Sequence, residues 1–282
     1  MSNLASLTTR DGSRLAVWDW PVTGGSAKPT APRVLIVHGL GEHAGRYAHL
    51  AARLNAAGYA VRAYDHYGHG RSSGPRGGLT RDLQLAEHLG EVAAAFEAES
   101  SHAGAGPGLV LIGHSLGGLV VASAVMRGFV APRLLVMSSP ALAVDMAAWQ
   151  RVAVKIIPKF APNLRLGNGL DPQILSHDPR VVAEYVADPL VHDRISARLG
   201  AFVALEGAAV RAQAASWRTP TLLLYAGDDR AVSPRGSKEF ASAAPQAVVR
   251  AECFPQMYHE IFNEPDAEEV FRALETALAA LG

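Results

Sequence analysis

Residues 109–127, which read LVLIGHSLGGLVVASAVMR, decide the fold. The apolar run that opens this stretch is typical of a buried strand, and the residues after the second glycine are typical of a helix. Between them Ser115 lies on a sharp turn, which holds its hydroxyl clear of the backbone for a base and a substrate carbonyl. Gly113 and Gly117 fit this turn because a Cβ on either would clash with crowded neighbours. The stretch predicts a strand–turn–helix unit that carries a nucleophilic serine.

The same Gly-x-Ser-x-Gly spacing occurs a second time, in residues 70–74 (GRSSG). This copy follows a polar loop and precedes Pro75, so no apolar strand leads into it and no regular helix leaves it. Short motifs carry a false-positive risk that only their context resolves. We therefore interpret Ser72 as a loop serine and Ser115 as the nucleophile.

Composition excludes several classes of protein. The 282 residues are 49% hydrophobic, enough for one large core with a smaller attached unit. Lys+Arg and Asp+Glu both number 26, so nothing indicates nucleic acid. The single cysteine, Cys253, excludes an internal disulfide, fits a reducing compartment and is expected to be a buried strand residue. With no signal-peptide pattern and no apolar run of membrane-spanning length, we expect a soluble, cytoplasmic protein.

Strands and helices alternate along most of the chain. Predicted strands cover residues 5–8, 15–20, 34–37, 59–64, 109–113, 134–137, 221–225 and 247–254. Predicted helices cover residues 47–57, 79–99, 116–127, 237–244 and 266–281, and residues 23–29 read as a surface loop. Repeated βα units predict an α/β fold with a mostly parallel, eight-stranded sheet flanked by helices.

The alternation stops after Pro140. Residues 141–213 contain several prolines, mostly helical patterns and no clear strand, so we interpret them as a helical cap inserted into a core of residues 1–140 and 214–282. Residues 149–160 form a basic amphipathic pattern that Pro158 is expected to end or kink near residue 157. Such a helix is either a lid over a lipid-lined pocket or a transient contact with a membrane surface, and one helix can do both.

A serine nucleophile needs a histidine base and a carboxylate that orients it, which follow in the order serine, acid, histidine in this fold. Of 11 histidines, only His259 follows the candidate acids, in the loop after the last predicted strand. The acid is expected just past the strand at 221–225, where Asp228 and Asp229 are adjacent. We prefer Asp229 and assign Asp228 to the turn, although ordinary turn chemistry accounts for either residue.

Two backbone N–H groups are expected to stabilise the oxyanion. One belongs to Leu116, the residue after the nucleophile, and the other to Leu40 in the glycine-rich loop after the third strand. The glycines of that loop lack the spacing of a phosphate-binding loop. We also predict no metal and no cofactor, since metal-ligand spacing is absent from the clustered histidines, which are His38, His43, His66, His69 and His114.

These motifs resemble the α/β-hydrolase superfamily, in particular its monoacylglycerol lipase and lysophospholipase branch. The resemblance runs from about residue 10 to the C-terminus and rests on residues 38–47, 65–74, 113–118, 138–140, 188–190, 222–230 and 258–259. It implies the α/β-hydrolase fold, with Ser115, Asp229 and His259 as nucleophile, acid and base.

The resemblance also implies a site for the glycerol end of a substrate, formed by Glu42, Arg46, His114 and Tyr185. The chain has Leu40 where well-known members have alanine, and Leu116 where methionine is frequent. Both residues donate through the backbone, so catalysis is expected to survive while the acyl-chain preference changes.

The expected function is hydrolysis of single-chain lipid esters, with monoacylglycerol as the first candidate substrate. A lysophospholipase or a general carboxylesterase is the alternative, and an aminopeptidase or acyltransferase is less favoured. A peptidase would hold the substrate amine with acidic cap residues such as Glu184 or Asp188. A non-catalytic receptor is disfavoured by the three catalytic residue types in the expected order. The sequence predicts no oligomeric state.

Overall fold

The computed structural model describes residues 3–22, 31–99 and 108–281, so the loop predicted at 23–29 lies outside the described residues. The strands are β1 (Asn3–Thr8), β2 (Arg14–Trp20), β3 (Arg33–Val37), β4 (Val61–Tyr64), β5 (Leu109–His114), β6 (Leu134–Ser138), β7 (Arg165–Gly167), β8 (Arg194–Ser196), β9 (Thr221–Ala226) and β10 (Val249–Phe254). The α-helices are α1 (Ala48–Ala56), α2 (Gln84–Ala98), α3 (Leu116–Met126), α4 (Ala148–Phe160), α5 (Pro179–Ala187), α6 (Ala197–Ala212), α7 (Pro234–Ala243) and α8 (Glu268–Ala279).

Eight strands form one sheet in the order β1-β2-β4-β3-β5-β6-β9-β10. Only the pairs that include β2 are antiparallel, and every pair from β4 to β10 is parallel. All residues of β5, at the centre, are buried, which is why that strand reads as a continuous apolar run. The predicted α/β fold with a mostly parallel eight-stranded sheet is confirmed.

Helices cover both faces of this sheet. Apolar residues of α2, α3 and α7 pack in the core on one face, and those of α1 and α8 pack in a second core on the other face. Because the central strands are parallel, their carboxyl ends meet at one edge of the sheet. The loops that carry Leu40, Ser115, Asp229 and His259 all begin at that edge, after β3, β5, β9 and β10.

The segment between β6 and β9 is mainly helical but contains a small antiparallel hairpin, β7–β8. The expectation that residues 141–213 hold no strand was wrong, because strands of three, largely exposed residues leave no alternating pattern. Of the two expectations for Pro158, that it ends or kinks the helix near residue 157, the first was wrong. The helix continues past Pro158 to Phe160, and Ala161 N donates to Ile157 O over 2.8 Å to close its last turn.

The position of Cys253 in the sheet decides its exposure. Cys253 lies in a strand as expected, but its side chain is exposed because β10 is the edge strand of the sheet. The expectation of a buried cysteine was therefore wrong.

Across the described ranges, none of the helices is both long and apolar enough to cross a membrane.

Candidate active site

Ser115 is held in a strained backbone conformation, with φ 55° and ψ −119°, immediately before α3. Residues other than glycine rarely adopt backbone angles with a positive φ. Such a residue keeps them only when its surroundings fix its backbone. Three backbone hydrogen bonds do so. Ser115 N donates to Ser138 O over 2.9 Å, and Ser115 O accepts from Ala141 N at 2.9 Å and from Leu119 N at 3.1 Å.

The glycines on either side of Ser115 are required by close backbone contacts. A Cβ on Gly117 would meet the carbonyl oxygens of Val37 and His38 at the end of β3. A Cβ on Gly113 would meet the carbonyl of Gly117 itself. The turn therefore brings the serine next to the loop after β3, where a Cβ on Gly39 would lie 3.2 Å from Cβ of Ser115.

His259 and Asp229 form a buried pair. Nδ1 of His259 lies 2.7 Å from Oδ2 of Asp229, and the other carboxylate oxygen accepts from the N–H groups of Ala231 at 2.9 Å and Val232 at 3.0 Å. Burial alone lowers the pKa of His259, but the charge of Asp229 and this hydrogen bond outweigh it, so that the pKa is raised. The adjacent Asp228 instead forms an exposed ion pair with Arg230.

The imidazole of His259 and Ser115 line the same cavity, but no hydrogen bond joins the Ser115 hydroxyl to the imidazole in this structure. Catalytic hydrogen bonds are often long in ligand-free enzymes and tighten when substrate binds. The ring of His114 lies 4.7 Å from that of His259. Burial and the neighbouring His259 lower the pKa of His114 to about 4, so His114 is neutral at physiological pH.

The backbone N–H groups of Leu40 and Leu116 belong to residues of the cavity wall. Leu40 and Leu116 line the cavity, and within the described ranges neither amide N–H donates to another protein group. Leu116 is the first residue of α3, where the helix leaves its N–H groups free. Both are therefore available to an oxygen atom in the cavity.

Glu42 and Arg46 belong to a buried ionic network with Glu260. Arg46 donates to Oε2 of Glu42 over 2.6 Å and to both carboxylate oxygens of Glu260 over 2.8 Å. Burial raises the pKa of Glu42, but Arg46 holds it below its usual value. Oε1 of Glu42 also accepts from Gly39 N at 2.5 Å, next to Leu40. The network thus joins the loop after β3 to the loop after β10.

The four predicted glycerol-binding residues do not all line the cavity. Glu42, His114 and Tyr185 line the cavity, whereas Arg46 lies behind it between two carboxylates and under the ring of Tyr185. Sequence reasoning missed Glu260, which does line the cavity. The available signal was its position, since it is a carboxylate directly after the candidate base.

Residues of the inserted segment fasten both site loops. In the segment between β10 and α8, which carries His259, the carboxylate of Glu264 accepts from the N–H and from Nδ1 of His177, both at 2.7 Å. On the other side, His192 N donates to Gly41 O over 2.8 Å, and Asp188 pairs with His43 over 2.7 Å. The geometry of the site therefore depends on the segment around α5.

The cavity at this site has a volume of about 510 Å³, within the range of small-molecule pockets. Ser115, His114, His259, Glu42 and Glu260 line this cavity, and its wall as a whole is largely apolar. Most of the apolar lining comes from the inserted segment and includes Trp149, Ala153, Val154, Ile157, Leu164, Leu166, Leu170, Ile174 and Val203.

The second motif and the histidine cluster have structural surroundings. The hydroxyl of Ser72 donates to Asp65 O over 2.6 Å and accepts from Ala16 N at 2.9 Å, so it is a loop serine. His38, His66 and His69 pack with ring centroids 4.4 to 5.9 Å apart. Over the described part of the chain, no three His, Cys, Asp or Glu side chains are arranged to hold a metal ion.

Known proteins share this sequence and fold. A family model described as "Serine aminopeptidase, S33" matches residues 28–266. A monoacylglycerol lipase of Mycolicibacterium smegmatis is 37% identical over 246 residues, which cover 86% of this chain and 86% of that protein. Phospholipase YtpA of Bacillus subtilis is 30% identical over 264 residues, which cover 91% of this chain and 96% of that protein.

Among solved structures, a monoacylglycerol lipase of Paleococcus ferrophilus matches with a TM-score of 0.81 at 34% identity. The match covers 96% of this chain and 99% of that one. The chain therefore belongs to the serine aminopeptidase S33 family of α/β-hydrolases, and it is a serine ester hydrolase of the branch that contains the monoacylglycerol lipases.

Proposed function

We propose that this enzyme hydrolyses carboxylic esters of single-chain lipids, with monoacylglycerol as the preferred substrate, and that Ser115 forms the acyl-enzyme. One observation carries the proposal: the buried His259–Asp229 pair and Ser115 share a cavity whose remaining wall is largely apolar. The similar proteins of known name, which include monoacylglycerol lipases, support the same substrate class.

In the proposed mechanism, His259 accepts the proton of the Ser115 hydroxyl as its oxygen attacks the ester carbonyl carbon. The N–H groups of Leu40 and Leu116 stabilise the oxyanion, each contributing about 3 kcal/mol in comparable sites. The bond to the alcohol oxygen then breaks, and the alcohol leaves with the proton from His259. Water, deprotonated by His259, attacks the acyl-enzyme, releases the fatty acid and restores the serine.

The acyl chain is proposed to lie along the apolar wall, and the alcohol near Glu42, His114 and Tyr185. This arrangement makes residues 141–213 a cap that shields the chain from water. A volume of about 510 Å³ suits one chain. Lysophospholipids and other carboxylic esters are alternative substrates, and the similarity to phospholipase YtpA supports the former.

An aminopeptidase is less well supported. The acidic residues suggested for binding a substrate amine, Glu184 and Asp188, do not line the cavity, and Asp188 is occupied by His43. The apolar wall offers an acyl chain more contact than it offers a peptide. Comparing turnover of a monoacylglycerol with that of aminoacyl anilides tests this preference, and faster anilide cleavage contradicts the proposal.

We also propose that α4 touches a membrane surface while it acts as a lid. Its Trp149 and Phe160 side chains are 71% and 84% exposed, and Lys155 and Lys159 share the helix. Exposed apolar rings beside lysines favour anionic lipid. We expect wild type to co-sediment with phosphatidylglycerol vesicles, and Trp149→Ser with Phe160→Ser to abolish this. The matched control is Leu4→Ser, because Leu4 is an exposed apolar residue on β1.

The proposed function is tested with monoacylglycerols, lysophospholipids and diacylglycerols assayed side by side. We expect the highest kcat/KM on monoacylglycerols. Activity confined to diacylglycerols contradicts a cavity for a single chain.

A further inference from the structure

The alcohol end of the cavity is lined by two carboxylates whose remaining hydrogen-bonding capacity can be counted. Glu42 and Glu260 are 3% and 5% exposed, and both line the same cavity as Ser115. An ionised carboxylate accepts about four hydrogen bonds and donates none. Each hydrogen bond that a carboxylate accepts from the protein therefore reduces the number that it can accept from a substrate.

Each carboxylate has about one acceptor position left. Glu42 already accepts from Gly39 N, the Tyr47 hydroxyl and Arg46. Glu260 accepts from both terminal nitrogens of Arg46 and from Nδ2 of Asn263 at 2.7 Å. About two acceptor positions remain, and their natural partners are two hydroxyl groups of an alcohol.

Arg46 is the cation of this network, and it cannot balance the negative charge of an incoming anion. Arg46 lies behind the cavity wall, donates to both carboxylates, and packs with its guanidinium carbon 4.9 Å from the centre of the Tyr185 ring. Two carboxylates share this single guanidinium, so the network carries one net negative charge. A buried negative site repels a second anion strongly, because little water screens it.

Among the described residues that line the cavity, Arg230 is the only arginine, and no lysine lines it. It is already paired with Asp228 at 2.8 Å and stacked on Tyr258 at 4.7 Å. The one cation on the wall is therefore partly neutralised.

We propose that Glu260, together with Glu42, determines leaving-group specificity by accepting hydroxyl groups of neutral alcohols and excluding anionic head groups such as phosphate. This inference rests on the proposed function and decides between two of its substrates. It assigns to Glu260 a direct contact with the alcohol and to Arg46 the role of holding the two carboxylates in place.

The test compares 1-decanoylglycerol with 1-decanoyl-glycerol-3-phosphate, two monomeric esters that differ only in the phosphate. For wild type we expect kcat/KM to favour the neutral ester at least about 100-fold. Glu260→Gln keeps the shape and removes the charge, and it is expected to lower this ratio at least about tenfold. Glu42→Gln is the second variant and is expected to act in the same direction.

The ratio separates specificity from a merely structural effect. Both esters are cleaved at the same bond by the same groups, so a misplaced loop lowers both rates and leaves the ratio unchanged. A wild-type ratio below tenfold overturns the inference, as does an unchanged ratio in both variants. A ratio that changes only in Arg230→Gln also overturns it. If the wild-type enzyme hydrolyses neither ester, the proposed function itself is overturned. This outcome is distinct from a changed ratio, because a ratio requires measurable hydrolysis.

Discussion

The Nδ1–H group of His259 donates a hydrogen bond to Oδ2 of Asp229 over 2.7 Å, and the two side chains are only 4% and 2% exposed. The direction follows from chemistry, because an ionised carboxylate only accepts. It leaves the second ring nitrogen, Nε2, without a proton in the neutral imidazole, which is the form that a base at Ser115 requires.

Asp229→Asn is expected to lower kcat about 10⁴-fold, because an amide can donate to Nδ1 and favour the wrong tautomer. The matched control is Asp228→Asn. That carboxylate is exposed and paired with Arg230, so its loss is expected to change kcat by about twofold at most. Steady-state kinetics on a soluble ester measure both. Equal losses in the two variants contradict the assignment of Asp229 as the acid.

The pH profile of kcat/KM should fall on its acidic side at a pKa above 6.5, the ordinary histidine value. Burial lowers the pKa of His259, but Asp229, Glu260 and Glu42 raise it more. Protonation removes the base, so activity is lost as pH drops through this raised pKa. Glu260→Gln should move the limb to lower pH. A wild-type limb below 6.5 contradicts this account.

Gly117→Ala is expected to reduce the free energy of unfolding by about 3 kcal/mol, because its Cβ would overlap the carbonyls that end β3. Gly200→Ala is the control. Gly200 lies in α6, and its Cβ would meet nothing closer than Ile195 Cδ1 at 3.9 Å. That change should raise the free energy of unfolding by about 0.5–1 kcal/mol. Urea denaturation measures both, and similar shifts in the two variants would be inconsistent with a crowded turn.

Arg46→Met is expected to lower the free energy of unfolding by about 3–5 kcal/mol at neutral pH, because Glu42 and Glu260 stay buried without their counter-ion. Arg46 holds the pKa of Glu42 below its usual 4.5, so this stabilisation exists above pH 4.5 and is lost as pH falls through the folded pKa. The difference between variant and wild type should therefore shrink in acid.

The control for this variant is Arg53→Met. Arg53 also bridges two carboxylates, those of Glu268 and Glu275, but on the surface. Its loss is expected to cost about 1 kcal/mol or less. A penalty for Arg46→Met as small as that of Arg53→Met would show that the buried network does not stabilise the fold.

The sequence was most informative where local chemistry and chain order coincide. The strand, turn and helix around Ser115 could be predicted because an apolar run, two glycines and a helical stretch are adjacent in the chain. The position of His259 followed from the order of the parallel strands, since their carboxyl ends share one edge.

Features that depend on distant contacts could not be predicted in the same way. Arg46 and Glu260 are hydrogen-bonded but lie 214 positions apart in the sequence, and no local pattern links them. The assignment of Arg46 to the substrate rested on its local motif, and its contacts with two carboxylates were not predicted. The exposure of Cys253 depends on β10 being the edge strand, which its own alternation does not reveal.

We propose Ser115, and not the serine of the second motif, as the nucleophile. Labelling with a fluorophosphonate probe measures this directly, because the probe reacts with activated serines. We expect full labelling of wild type and of Ser72→Ala, whose hydroxyl only bridges Asp65 and Ala16. Ser115→Ala should show no labelling. Labelling of Ser115→Ala at the wild-type level would show that Ser115 is not the nucleophile.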